Sequence, residues 1–161
     1  MTLETDINQH VFRTEYQKSM INLIYTYNWM NERISKRFDE FDITQQQFNI
    51  LRILRGAGQP LSTLQIRQRM LDRMSDTSRI VDRLIKKGVV KKSVCREDRR
   101  LVDVLLTDKG KKLLSVMDGL NDEMDSVFKQ ISVEEAKQLN SLLDKIRTIE
   151  IDASDDIQNH R

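Results

Sequence analysis

The segment from Ser75 to Lys87 combines short hydroxyl side chains with long cations on what the sequence predicts to be one helix. At about 100° per residue, one side of this helix is expected to face the core and comprises Thr77, Ile80, Val81, Leu84 and Ile85. The other side is polar and comprises Ser75, Asp76, Arg79, Asp82, Arg83 and Lys86, with Ser78 at its edge. Hydroxyls and N–H groups at a helix start suit a phosphate, and an arginine one turn later can reach guanine O6 and N7. The pattern favours a helix that lies in a DNA major groove, and an ordinary amphipathic surface helix is the alternative.

A second cationic cluster lies in a predicted β-hairpin further along the chain. Period-two alternation and β-branched residues predict strands around Val90–Cys95 and Leu101–Leu106. The tip between them, Arg96-Glu97-Asp98-Arg99-Arg100, consists entirely of charged residues. Like charges at one tip repel each other, whereas a phosphate backbone or a narrow minor groove attracts arginine. We therefore expect the three arginines to contact DNA, with Asp98 either pairing with a guanidinium or serving as a simple turn residue.

The net charge of +2 hides a strong division along the chain. Residues 1–59 contain 7 basic and 7 acidic side chains, residues 60–100 contain 12 and 5, and residues 101–161 contain 8 and 13. The central segment therefore carries a net charge of +7 and the last segment a net charge of −5. A basic block of this kind indicates a surface that meets phosphate, although a solvated basic face without a partner would have the same composition.

Periodicity and capping patterns predict the elements that position these two clusters. An apolar stripe runs along a first helix over Val11–Phe38 and consists of Tyr16, Met20, Leu23, Tyr27, Met30 and Ile34. Capping boxes mark three later helix starts, at Thr44 with Gln47, Ser62 with Gln65, and Ser132 with Glu135. The second helix is expected to stop at Gly56-Ala57-Gly58, and Gly88 is expected just past the end of a later helix.

These elements predict one mainly α-helical domain over residues 10–151, with about six helices and a small β-hairpin wing. Its centre is a winged helix-turn-helix, with the helix-turn-helix at about residues 62–87 and the wing at about 89–106. Helices at about 11–38 and 107–150 flank it. The first helix after the wing is expected to start at Thr107 and to carry Leu113, Met117, Leu120, Met124 and Val127 on one face. Residues 152–161 are predicted to form a polar tail.

The sequence offers little for catalysis or metal binding. His10 and His160 lie near opposite ends, and no cluster of histidine, cysteine or acidic residues has the spacing of a metal site. We therefore predict no enzyme activity, no cofactor and no metal. The lone cysteine, Cys95, allows no intrachain disulfide, and we interpret it as a small apolar strand residue rather than a thiol switch. No apolar run suits a membrane span and the first residues lack a secretory signal, so we expect a cytoplasmic protein.

Several of these segments together resemble the MarR (multiple antibiotic resistance regulator) family of transcription factors. The stretch Thr77–Gly88 is similar to the recognition helix of that family. Glu97–Arg100, followed by Val102–Val104 and Leu106–Gly110, is similar to its wing and the start of its next helix. Ser132–Glu135 with Leu139, Leu142 and Leu143 resembles its final helix. The similarity extends from about Tyr16 to Ile149, and the order and spacing of the motifs make it specific.

The resemblance implies a homodimer whose amino- and carboxy-terminal helices intertwine and which binds double-stranded DNA, most often as a repressor on a palindromic operator. Its groove-facing residues would be Ser75, Asp76, Ser78 and Arg79, and Asp98 with Arg100 would form the wing's Asp-x-Arg pair. Lys92 stands where arginine is common, so its contact would be a point charge rather than a fork. Arg83, Arg96 and Arg99 complete the predicted DNA-binding set.

Four aromatic residues of the first helix, Tyr16, Tyr25, Tyr27 and Trp29, allow two interpretations. They form core and dimer interface, or they line a pocket for a small aromatic or amphipathic effector, as the resemblance implies for many family members. The alternative to an effector-controlled regulator is an architectural DNA-binding or helical interaction protein that responds to no effector.

Replacing Asp98 with alanine tests its predicted pairing with Arg100. The loss of a negative charge should by itself favour DNA binding, so weaker binding of D98A would show that Asp98 holds the arginine in place. Fluorescence anisotropy with labelled duplex DNA measures both affinities. Glu97→Ala removes the same charge one residue away and should tighten binding. If D98A binds as tightly as E97A, Asp98 is a turn residue only.

Overall fold

The computed structural model describes residues 2–94 and 102–148. Within these residues the chain forms eight α-helices and a three-stranded antiparallel sheet. One compact unit extends to Asn121, and a second begins at Asp122. The elements are α1 (Leu3–Asp6), α2 (Glu15–Asp39), α3 (Gln45–Ala57), β1 (Leu61–Ser62), α4 (Thr63–Arg69), α5 (Thr77–Lys86), β2 (Val90–Val94), β3 (Val102–Leu106), α6 (Asp108–Met117), α7 (Asn121–Asp125) and α8 (Val133–Arg147).

Reciprocal capping boxes fix the starts of α3, α4 and α8, as the sequence predicts. At α3 the Gln47 N–H donates to the Thr44 hydroxyl over 3.2 Å, and the Thr44 N–H donates to the Gln47 side chain over 3.0 Å. The boxes Ser62 with Gln65 and Ser132 with Glu135 have the same pattern. Hydrogen bonds from Ser132, first its backbone N–H and then its hydroxyl, hold the pKa of Glu135 below its ordinary value. Each box satisfies N–H groups that a helix start otherwise leaves without partners.

Gly88 ends α5, and this prediction is also confirmed. Its φ of 72° lies in the left-handed region, where a Cβ atom is strained. The Gly88 N–H donates to the Ile85 carbonyl over 2.8 Å, and the Val89 N–H donates to the Leu84 carbonyl over 3.2 Å. These two hydrogen bonds form a Schellman motif, and the motif turns the chain directly into β2.

The sheet has the strand order β1-β3-β2. The hairpin pairs β2 with β3 in a register that sets Val90 opposite Leu106 and Val94 opposite Val102. The third strand, β1, pairs Leu61 with Val104 and was not predicted. Two residues are too few to show an alternating pattern, so the sequence carries no strand signal there. Because β1 leads directly into α4, it ties the helix-turn-helix to the hairpin.

The hydrophobic core of the first unit draws on the end of α2, on α3 to α6 and on all three strands. The rings of Phe38 and Phe48 pack with centroids 5.0 Å apart. The largest fully buried side chains include Ile50, Leu51, Leu61, Ile66, Leu84, Val104 and Leu114. This core supports the inner face of α5.

Several predicted boundaries are wrong, for local reasons. The first long helix starts at Glu15 rather than Val11, because the Thr14 side chain caps it by accepting the Gln17 N–H. The short helix α1 before it was not predicted. The helix that follows the wing ends at Met117 instead of continuing to Val127. Beyond it, 3₁₀ turns at Asp118–Leu120 and Ser126–Phe128 flank α7. Gly119 lies in the first of these turns, and glycine is the poorest helix former after proline.

Replacing Gly110 with alanine should destabilise the fold. A Cβ at this position would lie 2.1 Å from the Val89 carbonyl oxygen, which is backbone and already accepts the Thr107 N–H. Overpacking of this kind costs about 1–3 kcal/mol or more. Chemical denaturation at one protein concentration measures the loss of unfolding free energy.

Gly119→Ala is the matched control, because nothing lies within 4 Å of its added Cβ. It should leave the unfolding free energy unchanged or raise it by up to about 1 kcal/mol through helix propensity. Equal effects of the two substitutions would show that the close approach at Val89 does not matter.

Candidate nucleic-acid interface

Helix α5 separates its side chains into a buried face and an exposed face, as the sequence predicts. Thr77, Ile80, Val81 and Leu84 are buried, and Ile85 packs against the core. The opposite face presents Asp76, Ser78, Arg79 and Arg83 to solvent, with Ser75 half-buried at its start. The structure therefore brings five of the predicted DNA-binding residues together at and along one helix.

The first turn of α5 is organised by Asp76. Helix α5 begins at Thr77 rather than at the predicted Ser75, because Asp76 is its N-cap. One oxygen of the Asp76 carboxylate accepts the Arg79 backbone N–H over 3.2 Å. The other oxygen lies 3.1 Å from Arg79 Nε and forms an ion pair with the guanidinium. The Arg79 side chain is nevertheless 81% exposed.

The turn between α4 and α5 is held by Asp72, a residue that sequence reasoning missed. One oxygen of its carboxylate accepts the Met74 N–H, and the other accepts the Gln46 side-chain amide over 2.9 Å. The Ser75 hydroxyl donates to the Asp72 carbonyl over 2.8 Å. An aspartate whose side chain accepts the N–H two residues further on is a turn that the sequence can indicate. The hydrogen bond to Gln46 joins residues 26 positions apart, and no sequence pattern predicts it. Asp72 therefore anchors the turn to α3.

Lys92 of strand β2 pairs with Asp82 on α5, at a distance of 3.0 Å between Nζ and Oδ1. Both side chains are about half exposed, so the pair stabilises the fold by only about 0–1 kcal/mol. A phosphate can therefore compete with Asp82 for the Lys92 ammonium group. Among the described residues, Arg83 has no carboxylate partner.

An apolar patch beside the start of α5 was not predicted. Leu71 and Met74 in the turn are 88% and 94% exposed, and Leu64 of α4 is 64% exposed. An open cleft of about 460 Å³ lies between α4 and the first turn of α5 and is lined by Thr63, Leu64, Arg67, Met74, Ser75, Asp76, Thr77 and Ser78. Within the described chain the buried Thr77 hydroxyl has no hydrogen-bond partner.

The predicted effector residues all lie on α2, but they do not share a face. At about 100° per residue, Tyr16 and Tyr27 lie on the apolar stripe, whereas Tyr25 and Trp29 lie on the opposite side. The Arg33 guanidinium covers the Trp29 ring, 3.9 Å from its centroid. All four side chains of one chain therefore cannot line a single pocket.

The remaining predicted site residues, Arg96, Asp98, Arg99 and Arg100, lie outside the described residues, as does Cys95. Over the described ranges no group of three acidic, histidine or cysteine side chains is placed to hold a metal ion. In the same ranges no helix is both long enough and apolar enough to cross a membrane.

The fold and the sequence both match a known family. Residues 41–101, which contain α3 to β2, match the model of the MarR family. A crystal structure of a MarR transcription factor from Planctomyces limnophilus superposes with a TM-score of 0.62 at 31% identity, over 86% of this chain and 99% of that one. The chain belongs to the MarR family of transcriptional regulators.

Two further relatives are a transcriptional regulator and a DNA-bound protein. The HTH-type transcriptional regulator PecS of Dickeya dadantii is 29% identical over 121 residues, which are 73% of this chain and 72% of PecS. The S. aureus MepR–DNA complex gives a TM-score of 0.69 at 25% identity, over 86% of this chain and 98% of MepR. The MarR family and PecS are described as transcriptional regulators, which agrees with the prediction of no enzyme activity.

Proposed function

We propose that this MarR-family chain is a sequence-specific DNA-binding regulator. It binds a palindromic operator as a homodimer and represses transcription. The observation that carries the proposal is the exposed face of α5, where Ser78, Arg79 and Arg83 project from a helix whose other face is locked in the core. The MepR–DNA complex supports this proposal, because a relative of the same fold binds DNA.

The side chains available on this face suit both parts of DNA recognition. Arginine can read guanine with paired donors, and serine at a helix start can donate to phosphate. Lys92 lies on β2 next to α5 and adds a cation that a phosphate can take from Asp82. The wing arginines Arg96, Arg99 and Arg100 would extend the contact along the duplex.

Exposed apolar stripes support the homodimer. On α2, Tyr16, Met20, Leu23 and Tyr27 are between 41% and 88% exposed although they form one continuous face. In α8, whose residues are all described, none is buried, and Leu139, Leu142 and Ile146 form an exposed row. Apolar surface of this extent indicates a protein partner, and a second copy of the chain supplies matching stripes. A two-fold dimer would bind half-sites about one helical turn apart, or a multiple of it, which a palindrome provides.

We also propose that a small aromatic or amphipathic effector releases the DNA. If the stripe with Tyr16 and Tyr27 pairs with the second copy, Tyr25 and Trp29 remain for the effector. The Arg33 guanidinium beside Trp29 would favour an anionic aromatic compound, since it offers a cation next to a ring.

A gel-shift assay on the DNA upstream of the chain's own gene tests the function. A sequence-specific regulator should keep the labelled fragment when random duplex is present in large excess, because specific binding exceeds non-specific binding by about 10³-fold or more. Unlabelled fragment should displace it. Equal displacement by both competitors would instead identify an architectural DNA-binding protein.

Light scattering at micromolar concentration tests the homodimer, which should have about 38 kDa, twice the 19.0 kDa of the chain. Leu142→Glu should shift the mass toward the monomer, because it places a charge in the exposed row of α8. Ser141→Glu adds the same charge about 100° away and should leave the dimer intact. A monomer for the unaltered chain, or equal effects of both substitutions, would contradict the proposed interface.

A further inference from the structure

The carboxylate of Asp76 is committed to a single residue, Arg79. One oxygen accepts the Arg79 backbone N–H over 3.2 Å, and the other lies 3.1 Å from Arg79 Nε. The N-cap of α5 and the ion pair are therefore made by the same side chain. This arrangement favours one direction of the Arg79 side chain relative to the start of the helix.

The ion pair lies on the Nε side of the guanidinium, so the two terminal amino groups stay available. No second carboxylate among the described residues pairs with Arg79, and its side chain is 81% exposed. Guanine presents O6 and N7 side by side in the major groove, and two neighbouring donors match them. An arginine held in one direction before binding loses less rotamer freedom when these bonds form.

The ion pair also lets Arg79 contribute to base specificity without adding to the electrostatic attraction between protein and phosphates. The charge of Asp76 offsets that of Arg79, so together they add little to the attraction of phosphates, which depends on net charge. Arg83, without a carboxylate partner among the described residues, adds to that attraction, as do Lys92 and the wing arginines of the proposed interface. A carboxylate at the start of a DNA-facing helix repels the phosphates. The orientation of Arg79 by Asp76 offsets this unfavourable effect.

We infer that Asp76 is a positioning residue that aims Arg79 at one guanine of each half-site and thereby sets base specificity. The inference rests on the proposed function, because it requires that α5 enters the major groove. It predicts that Asp76 acts on the choice of base at a single position, in addition to the general gain in affinity that the loss of a carboxylate on this face brings.

The test is selection from a pool of random duplexes by the full-length protein, followed by sequencing, so no operator needs to be known. The unaltered chain, Arg79→Ala, Asp76→Asn and Asp82→Asn are compared. Asparagine caps a helix about as well as aspartate, so D76N removes the ion pair and keeps the cap. Equal thermal unfolding midpoints of D76N and the unaltered chain confirm that the cap is kept. D82N is the matched control, because Asp82 lies on the same helix and pairs with Lys92 instead of Arg79.

The unaltered chain should prefer guanine at one position of each half-site, by roughly 5- to 150-fold over the other bases. R79A should lose this preference. D76N should weaken it by about two- to fivefold at that position alone, as expected for an exposed ion pair. D82N should leave the guanine preference unchanged. D76N and D82N should both gain affinity for random DNA, because each loses a negative charge.

Two kinds of failure can be told apart. If the unaltered chain enriches no motif, the proposed sequence-specific function is wrong, and the inference falls with it. If a motif appears but D76N selects guanine as strongly as the unaltered chain, only the inference is overturned. Retained guanine preference in R79A, or an equal loss in D82N, would overturn it as well.

Discussion

The burial of Ile80, Val81 and Leu84 fixes the inner face of α5 in the core of the first unit, and the direction of every exposed group on that helix follows from it. Each such side chain contributes about 1.5–3 kcal/mol when it leaves water, so rotation of the helix about its axis would cost several kcal/mol. The side chains on the far side, Arg79 and Arg83 among them, therefore face solvent. The candidate interface is positioned by apolar packing on the opposite side of its helix.

Polar contacts then hold both ends of α5 in place. At its start, Asp72 connects the turn to Gln46 of α3. At its end, the Lys87 ammonium lies 2.5 Å from both the backbone carbonyl and the carboxylate of Asp42. The Lys109 ammonium donates to the Lys87 carbonyl over 2.8 Å. These contacts join α5 to α3, to the turn between α2 and α3, and to α6, and they leave its outer face exposed.

Local signals in the sequence were sufficient for much of this arrangement. The capping boxes at Thr44, Ser62 and Ser132, the glycine at position 88 and the two faces of α5 were all predicted, because each depends on residues a few positions apart. Contacts between distant residues were missed. Strand β1 exists only because Leu61 meets Val104, and the partners of Asp72 and Lys92 lie on other elements. The solvent exposure of Met74 was not predicted for another reason, because no sequence pattern indicates that an apolar residue in a turn is exposed.

The connection between α5 and β2 contains only Lys87, Gly88 and Val89. All three are bound, through the Lys87 ammonium, the two N–H groups of the Schellman motif and the Thr107 side chain, which donates to the Gly88 carbonyl over 2.7 Å. This short and fully bonded connection leaves α5 and β2 little freedom to separate. If α5 enters a major groove as we propose, the distance from α5 to β2 is therefore set before DNA binds. A duplex whose grooves do not match that distance must deform to contact both elements, and the free energy of that deformation depends on its sequence.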